Sequence, residues 1–507
     1  MKKIITFFVL IFTISNVYSQ PLYHRAVYGM SLFSAKGCIT SDGGFVMMGQ
    51  KYSNVNDEDI FLVKLSENGD TLWSRTYLYP NGDDQAGEVL QTNDGGFFIV
   101  GWNYVMKTDS VGMPLWSKRI SFSNSSLGKT ALETPFGELV IASRGRNSSW
   151  GEEGVQLTKL DSAGNLIFNK LIGIFQGPYP YSIKNTSDGG YVISGETNYS
   201  ASTSDAFLMK TDSAGNVSWA HHYGGNDFDM FWSVEETVNG DFLAIGGTAN
   251  PQETFMVKVD SAGSLIWSRI YQSGFSLSMG YRIIRTSDQN FVFCGQVQTP
   301  QHSSILGKMD ENGTVLWTKA YHPGNVSNGS RFYGVYETAD SCLIATGFYI
   351  EIPWNGFNYI VKCDSAGNSN CYSNNIAWTS TPFVSKDSAI VCITASNTNI
   401  YVVTILTDCF CDSTNFICTG SVGLSHANSS SKDLIVYPNP FSDKLIVELN
   451  NSEVSEILLY DAGLRELMKK EFTNSTSLNV EQLAKGIYIY IVRNNSGLFL
   501  SGKIIKD

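Results

Sequence analysis

Charge is scarce in this chain: Asp, Glu, Lys and Arg together make up 16% of its 507 residues, and there are only six histidines. The net charge is −12, with no cluster of Lys and Arg. That excludes a nucleic-acid binder, because phosphate tracking needs concentrated basic groups. The apolar run from Ile4 to Ile14 is too short to cross a bilayer, which takes roughly 20 residues, and no later segment is long and apolar enough. Helical periodicity is nearly absent. Also absent are HExxH, a nucleophile elbow around any Ser or Cys, and a CxxC pair, while NDEDI (56–60) and GGNDFD (224–229) are not spaced like an EF-hand. No catalytic residue and no cofactor or metal is therefore expected, with surface Ca²⁺ on the acidic loops left open. His221-His222 has no third ligand nearby and reads as a packed or solvated pair.

What is present begins with export. MKKIITFFVLIFTISNVYSQ carries a basic start at Lys2 and Lys3, an apolar stretch, and Val17-Tyr18-Ser19 at the positions a signal peptidase reads. A signal peptide over 1–19 is expected, with Gln20 as the new N-terminus. No Cys follows that point, so no lipoprotein is expected. Of nine cysteines, Cys371, Cys392, Cys409, Cys411 and Cys418 fall within one 48-residue stretch. In an exported protein they predict disulfides, the pairing left open.

The body of the chain repeats. KTDSAGNVSW (210–219) recurs as KLSENGDTLW, KTDSVGMPLW, KLDSAGNLIF, KVDSAGSLIW, KMDENGTVLW and KCDSAGNSNC, with Lys64, Lys107, Lys159, Lys210, Lys258, Lys308 and Lys362 lying 43 to 54 residues apart. A second motif, TSDGGFVMMG (40–49) in its first copy, precedes each one, also seven times. Asp-Gly between strand-like runs predicts a hairpin with a type I′ turn. Asp-x-x-Gly predicts a turn whose Asp side chain accepts backbone hydrogen bonds and whose Gly leaves in a conformation closed to most residues. The runs between turns are short and rich in β-branched and aromatic residues, giving four strands per repeat. Four strands per ~50 residues, seven times over, predict an all-β chain with a seven-bladed β-propeller over 20–371. PLYHRAVYG (21–29) resembles the Trp-bearing strand, with Tyr23 in the place of Trp73, whereas the last repeat has Cys371 there. The N-terminal strand is therefore expected to close the last blade. Lys210 and Asp212 recur in nearly every copy, so they read as architecture, with the Trp packing on the blade.

The hairpin resembles the tryptophan motif of quinoprotein propellers, with an Asp-to-Trp spacing one residue shorter. It also resembles the Asp-box of sialidases, with the Gly three rather than two after the Asp. The nearer likeness, over about 20–370, is to Gly-rich propeller repeats of exported Bacteroidota proteins. These likenesses imply fold alone. VYPNPFSDKLIVEL, ILLYDAGLRELMKKEF, LAKGIYIYIV and KIIK then follow in order. This segment resembles the type A C-terminal sorting domain of the type IX secretion system. Tyr437, Pro438, Asn439 and Pro440 match its opening motif; Leu459, Tyr460, Asp461 and Gly463 its central turn; and Gly486, Ile487, Tyr488 and Lys506 its end. Its alternating strands predict a small β-sandwich over 433–507. The resemblance implies the type IX machinery and a sortase as partners, with release or attachment at the outer-membrane surface. Asp-Ser-Ala and Asp-Ser-Val resemble the O-glycosylation pattern of the same phylum, which would place sugars on Ser110, Ser162, Ser213, Ser261, Ser365 and Ser388. The bland reading is that Ser-Ala merely suits a turn. Between the two domains, 372–432 reads as a Cys-rich hairpin, AIVCITAS and NIYVVTIL joined across Asn-Thr-Asn, followed by a tether.

Strand order puts both tight turns of every blade on one face and the variable loops on the other. That loop face is expected to carry Asp57, Glu58, Asp59, Asp83, Asp84, Glu152, Glu153, Asp227, Asp229 and His302, together with a ligand-binding set of Arg144, Arg146, Trp150, Tyr179, Tyr181, Trp232 and Trp354. Aromatics with polar flanks suit sugar rings or a protein surface. The expected function is a secreted or cell-surface propeller binding a glycan or protein there. The alternatives are a polysaccharide hydrolase or lyase, and a purely structural envelope protein.

Overall fold

The computed structural model describes residues 23–27, 31–54, 57–77, 86–101, 104–119, 130–146, 153–173, 177–200, 203–226, 228–249, 252–272, 278–298, 302–321, 329–351, 355–369, 373–383, 386–389, 393–395, 403–405, 407–411, 416–420, 434–438, 441–449, 454–461, 466–494 and 499–506. Among them there is no helix. The first repeat folds as four antiparallel strands, Ser31–Ile39, Phe45–Asn54, Asp57–Leu65 and Thr71–Tyr77, and six further sheets repeat this meander. These are blades 1 to 7 of a β-propeller. The innermost strands of blades 2 to 7 are Glu88–Gln91, Thr130–Glu133, Tyr179–Asn185, Asp229–Glu236, Ser278–Arg285 and Gly329–Glu337.

The strands read as unbroken apolar runs because each blade is buried on both faces. Val192, Leu208 and Tyr223 of blade 4 pack on Phe231, Phe242 and Phe255 of blade 5, for example. Equivalent cores join every successive pair of blades. The seventh core, Phe45, Met47 and Phe61 against Tyr336, Ile344 and Ile360, joins blade 1 to blade 7 and closes the ring. Tyr23–Val27 forms the outer strand of blade 7, with Tyr23 opposite Lys362 just as Trp73 lies opposite Lys64. The strand expected to lock the last blade does so.

The first hairpin turn differs from the type I′ expected. Gly43 N–H donates to Thr40 O at 2.9 Å, and Gly43 alone in that turn has positive φ, at 78°. This is a type I turn followed by a left-handed residue, a conformation that needs one permissive residue rather than two. Blades 6 and 7 hold Gln289 and Ser341 in that place, at φ 67° and 62°. In the second turn Asp109 Oδ1 accepts from Val111 N–H at 3.0 Å and Met113 N–H at 2.7 Å, as the motif predicts. Its glycine has a further duty. A Cβ on Gly263 would meet Trp219 of the preceding blade at 2.7 Å, and Trp219 Nε1 donates to Ser261 O at 2.8 Å. The repeated Trp thus seats on the turn of the next blade as well as on its own sheet.

The repeated Lys is buried and reaches back to the carboxylate of the preceding hairpin. Lys64 meets Asp42 at 2.9 Å, Lys107 meets Asp94 at 2.8 Å, Lys210 meets Asp188 at 2.7 Å and Lys308 meets Asp288 at 2.6 Å. In blades 3 and 5 the Asp is missing from its usual place two residues after the Thr. Glu138 and Asp241, four after it, take the Lys instead.

The hairpin expected across Asn-Thr-Asn does not form. After blade 7 the chain runs back around the ring. Ser373–Asn375 joins the outer edge of blade 6, Thr379–Pro382 blade 5, Lys386–Ala389 blade 4, Ile393–Ala395 blade 3 and Val403–Ile405 blade 2. Each strand caps an edge whose N–H and C=O groups would otherwise be unpaired, a stronger demand than the local turn signal. Trp378 stacks on Phe293 at 5.1 Å, and Phe383 meets Phe255 at 5.1 Å. A hairpin does follow, Thr407–Cys411 with Phe416–Gly420, placing Cys409 opposite Cys418.

Residues 423–507 form a separate unit. It is a sandwich of a three-stranded and a four-stranded sheet around Phe441, Leu445, Leu459, Tyr488 and Val492. Lys506 Nζ donates to Ser442 O at 2.6 Å, Val480 O at 2.7 Å and Glu481 O at 3.0 Å. Tyr437 Oη donates to Glu448 at 2.7 Å and Tyr488 Oη to Ala484 O at 2.6 Å. Asp461 lies opposite Tyr488 in the four-stranded sheet, which also contains Tyr460, Gly486 and Ile487. Pro438 follows a cis peptide bond. Asn439, Pro440 and Gly463 lie outside the described residues.

Candidate binding site in the central channel

Seven inner strands surround a cavity of about 730 Å³ lined from every blade, by Lys36, Glu88, Thr130, Ser182, Ser233, Arg282 and Tyr333 among others. Part of it is occupied by paired charges. Lys36 meets Glu88 at 3.3 Å, and Arg282 of blade 6 reaches the same carboxylate at 4.0 Å. The Arg282 guanidinium lies 4.6 Å over the Tyr336 ring, and Gly37 N–H donates to Tyr336 Oη at 2.8 Å. Lys184 pairs with Glu235. Burial pushes the Tyr336 phenol and the Cys38 thiol up to about 12 each, so neither ionises near neutrality.

Nearer the loop face the lining becomes aromatic, and the backbone accounts for it. The inner strands of blades 4 to 7 each carry a β-bulge, between Pro180 and Ser182, Phe231 and Ser233, Gly280 and Arg282, and Phe332 and Gly334. A bulge inserts one residue that has no partner across the ladder and re-aims its side chain. The inserted residues are Tyr181, Trp232, Tyr281 and Tyr333, and all four line the cavity. Tyr181 stacks on Trp232 at 4.1 Å, Trp232 meets Tyr281 edge-on at 5.5 Å, and Tyr281 meets Tyr333 at 4.8 Å. The four rings form one continuous ladder across four blades. The same position, five residues before the turn Thr, holds Ala35, Gly87 and Lys129 in blades 1 to 3.

Polar groups flank the ladder at both ends. Tyr181 Oη donates to Glu196 Oε1 at 2.7 Å, and burial holds the Glu196 carboxyl above its ordinary range. Arg144 pairs with Glu153 at 2.5 Å and lies 4.5 Å over the Tyr179 ring. At the far end, Arg331 lies 4.9 Å over Phe348 and 6.0 Å over Tyr333.

The structure thus brings together Tyr181 and Trp232 from the predicted set, and pairs Arg144 with Tyr179. Arg146 ends the strand Leu139–Arg146, while Trp150 and Trp354 lie outside the described residues. Two acids expected on the loop surface are inside: Asp59 and Asp229 have no exposure, the latter accepting from Gly225 N–H at 2.6 Å. Both sit within strands rather than in the connections. Tyr281, Tyr333, Arg331 and Glu196 were missed, although counting back from the turn Thr of each repeat would have found the aromatics. His222 is buried with Nε2 2.9 Å from Thr197 Oγ1, as a packed histidine, and its pKa is lowered by burial. Among the described residues no group of His, Cys, Asp and Glu is placed to hold a metal ion. Ser110, Ser162, Ser213, Ser261 and Ser365 stand exposed at the second turn of five blades, whereas Ser388 lies in the strand paired to blade 4 opposite His222.

Comparison with known proteins identifies residues 435–507 as a secretion system C-terminal sorting domain. The chain accordingly carries the export signal of the type IX system, which delivers proteins to the cell surface or medium. No helix among the described residues is long and apolar enough to cross a membrane. Over 111 residues, 19% of the chain, it is 29% identical to the regulatory protein FlaEY of Caulobacter vibrioides, and it spans only 12% of that protein's length. Among solved structures it is similar to a catalytically inactive virginiamycin B lyase from Staphylococcus aureus with quinupristin (10% identity, TM-score 0.44, covering 67% of this chain and 98% of that one). It is similar also to a PL25 ulvan lyase (9%, 0.45, 68% and 97%) and to the WD40 domain of Pan2 from Neurospora crassa (12%, 0.43, 67% and 90%). Likeness at this level says nothing of activity.

Proposed function

We propose that this exported propeller is a carbohydrate-binding protein that holds a polysaccharide segment on the aromatic ladder at the loop-side mouth of its channel. The observation that carries the reading is the run Tyr181, Trp232, Tyr281 and Tyr333, one ring per blade from four equivalent bulges. Packing needs inside the blades do not call for it, since blades 1 to 3 fold without an aromatic there. Ring faces take the apolar faces of sugars, and phenol and indole edges supply hydrogen bonds. A closed ring of blades holds such rings rigid, so little ordering opposes binding.

The test is a polysaccharide and glycan screen on the purified full chain, with the bound sugars assayed for cleavage. Trp232→Ala and Tyr281→Ala should each weaken binding by about tenfold or more, as for buried aromatic anchors. Retained binding in both variants would overturn the reading.

A second reading, a polysaccharide-cleaving enzyme, draws on Glu196. A carboxyl whose pKa is raised by burial, beside the ladder, suits a general acid. A glycosidase also needs a second carboxylate about 5–10 Å away. Soluble products that disappear in Glu196→Gln would favour this reading over pure binding.

A further inference from the structure

We infer that the bound saccharide is anionic, with a carboxylate or sulfate oxyanion taken by Arg331 at the blade 7 end of the ladder. This rests on the carbohydrate reading above and specifies the ligand's charge.

Arg331 lies in the inner strand of blade 7, two residues before the ladder residue Tyr333. Its guanidinium is stacked on Phe348 and Tyr333, and Nη1 donates to Tyr333 Oη at 3.4 Å. The side chain is partly buried, yet among the described residues no carboxylate pairs with it. Arg144 and Arg282, by contrast, are paired with Glu153 and Glu88. The guanidinium also hydrogen-bonds the Tyr281 phenol, but both phenol partners are neutral, so its charge stays uncompensated and its fork matches a planar oxyanion that would displace them.

The composition of the loops supplies a second, independent observation. The chain has a net charge of −12, and acids stand in or beside its strand connections in most blades, among them Asp57, Glu58, Asp227, Glu253 and Glu351. The segments SGFSLSMGY (273–281), TPQHSS (299–304) and HPGNVSNGSRF (322–332), which flank the strands of blades 6 and 7, contain no acid at all. The stretch that leads into the strand holding Arg331 thus adds no like charge to oppose an anion.

The experiment compares oligogalacturonate, a sulfated galactan oligomer and the uncharged galactan oligomer on the purified full chain by calorimetry at low and physiological salt. An anionic oligomer should bind about tenfold or more tighter than the neutral one, as befits a charge-assisted hydrogen bond, and the preference should shrink with salt. The carboxylate and sulfate arms decide which oxyanion is taken. Arg331→Gln should collapse the anionic-to-neutral ratio towards one, and Arg331→Lys should restore part of it, showing that the fold survives. Equal or tighter binding of the neutral oligomer by the unaltered chain would overturn the inference while leaving the carbohydrate reading intact. Anion binding lost in Arg331→Gln but unaffected by Trp232→Ala would instead support Arg331 and sink the ladder as a sugar platform. Preferential binding of a poly-glutamate peptide over every oligosaccharide, or no binding at all, would overturn both.

Discussion

Replacing Asp188 with Asn isolates the charge in one of the repeated Lys–carboxylate latches. Asn keeps an oxygen for the Gly190 N–H and the Thr186 hydroxyl, so the substitution removes charge rather than shape. Hydrogen bonds from Lys210, then from Thr186, lower the Asp188 pKa from 3.8 to about 2. A difference of that size corresponds to about 2.4 kcal/mol at neutral pH. The Asp188 side chain is 65% exposed, however, and solvent screening reduces the expected loss to roughly 1 kcal/mol. Because the folded pKa is depressed, this contribution is fully present above about pH 4 and is lost as pH falls through about 2. Urea midpoints of the two chains should therefore differ at pH 7 and converge near pH 2. A deficit as large at pH 2 as at pH 7 would refute the electrostatic reasoning. Phe136→Asn is the control, since that blade already uses Glu138, and the exposed Phe136 should be replaceable with little effect. Asp42, Asp94, Asp288 and Asp340 are lowered in the same direction. The unaltered propeller should therefore lose stability steeply over that same acid window.

Gln289→Gly and Ser341→Gly should each stabilise the chain, by up to about 1 kcal/mol in chemical denaturation, because a left-handed conformation costs a side-chain-bearing residue roughly that much. Trp378→Ala should cost about 2 kcal/mol through lost stacking on Phe293 and Tyr271. It should also speed hydrogen exchange in 373–405 before any in the inner strands, and uniform exchange across the blades would contradict the belt's role. Lys506→Met leaves three backbone carbonyls of the sorting domain without their shared donor, a loss of about 3 kcal/mol. The protein should then accumulate in the periplasm, as scored by immunoblot of cell fractions against medium.

Blade number, strand count and the closing role of Tyr23 were legible because they depend on local signals repeated at a fixed period. Thr40 and Gly43, or Asp109 and Gly112, fix a turn within a few residues, and seven copies leave little freedom in how they stack. The type of the first turn was misread because Asp-Gly also fits a turn with one left-handed residue. The segment 373–405 was misread for a different reason. AIVCITAS and NIYVVTIL resemble a hairpin locally, and nothing in the segment names the blade edges that compete for its hydrogen bonds.

The candidate site was half legible. Tyr181 and Trp232 stood out as aromatics near a loop face, whereas Tyr281, Tyr333 and Arg331 look like ordinary strand residues until the bulges are counted.

The sequence by itself determined a sevenfold all-β chain, its C-terminal sorting domain and its closing strand, because each of these is written in local motifs, repeated or in fixed order. Ring closure decided the rest. Glu88 and Arg282 meet across the channel, four rings from successive blades touch, and the belt finds five separate edges. Those contacts join residues that lie far apart along the chain, so no local pattern encodes them and only the closed tertiary structure brings them together.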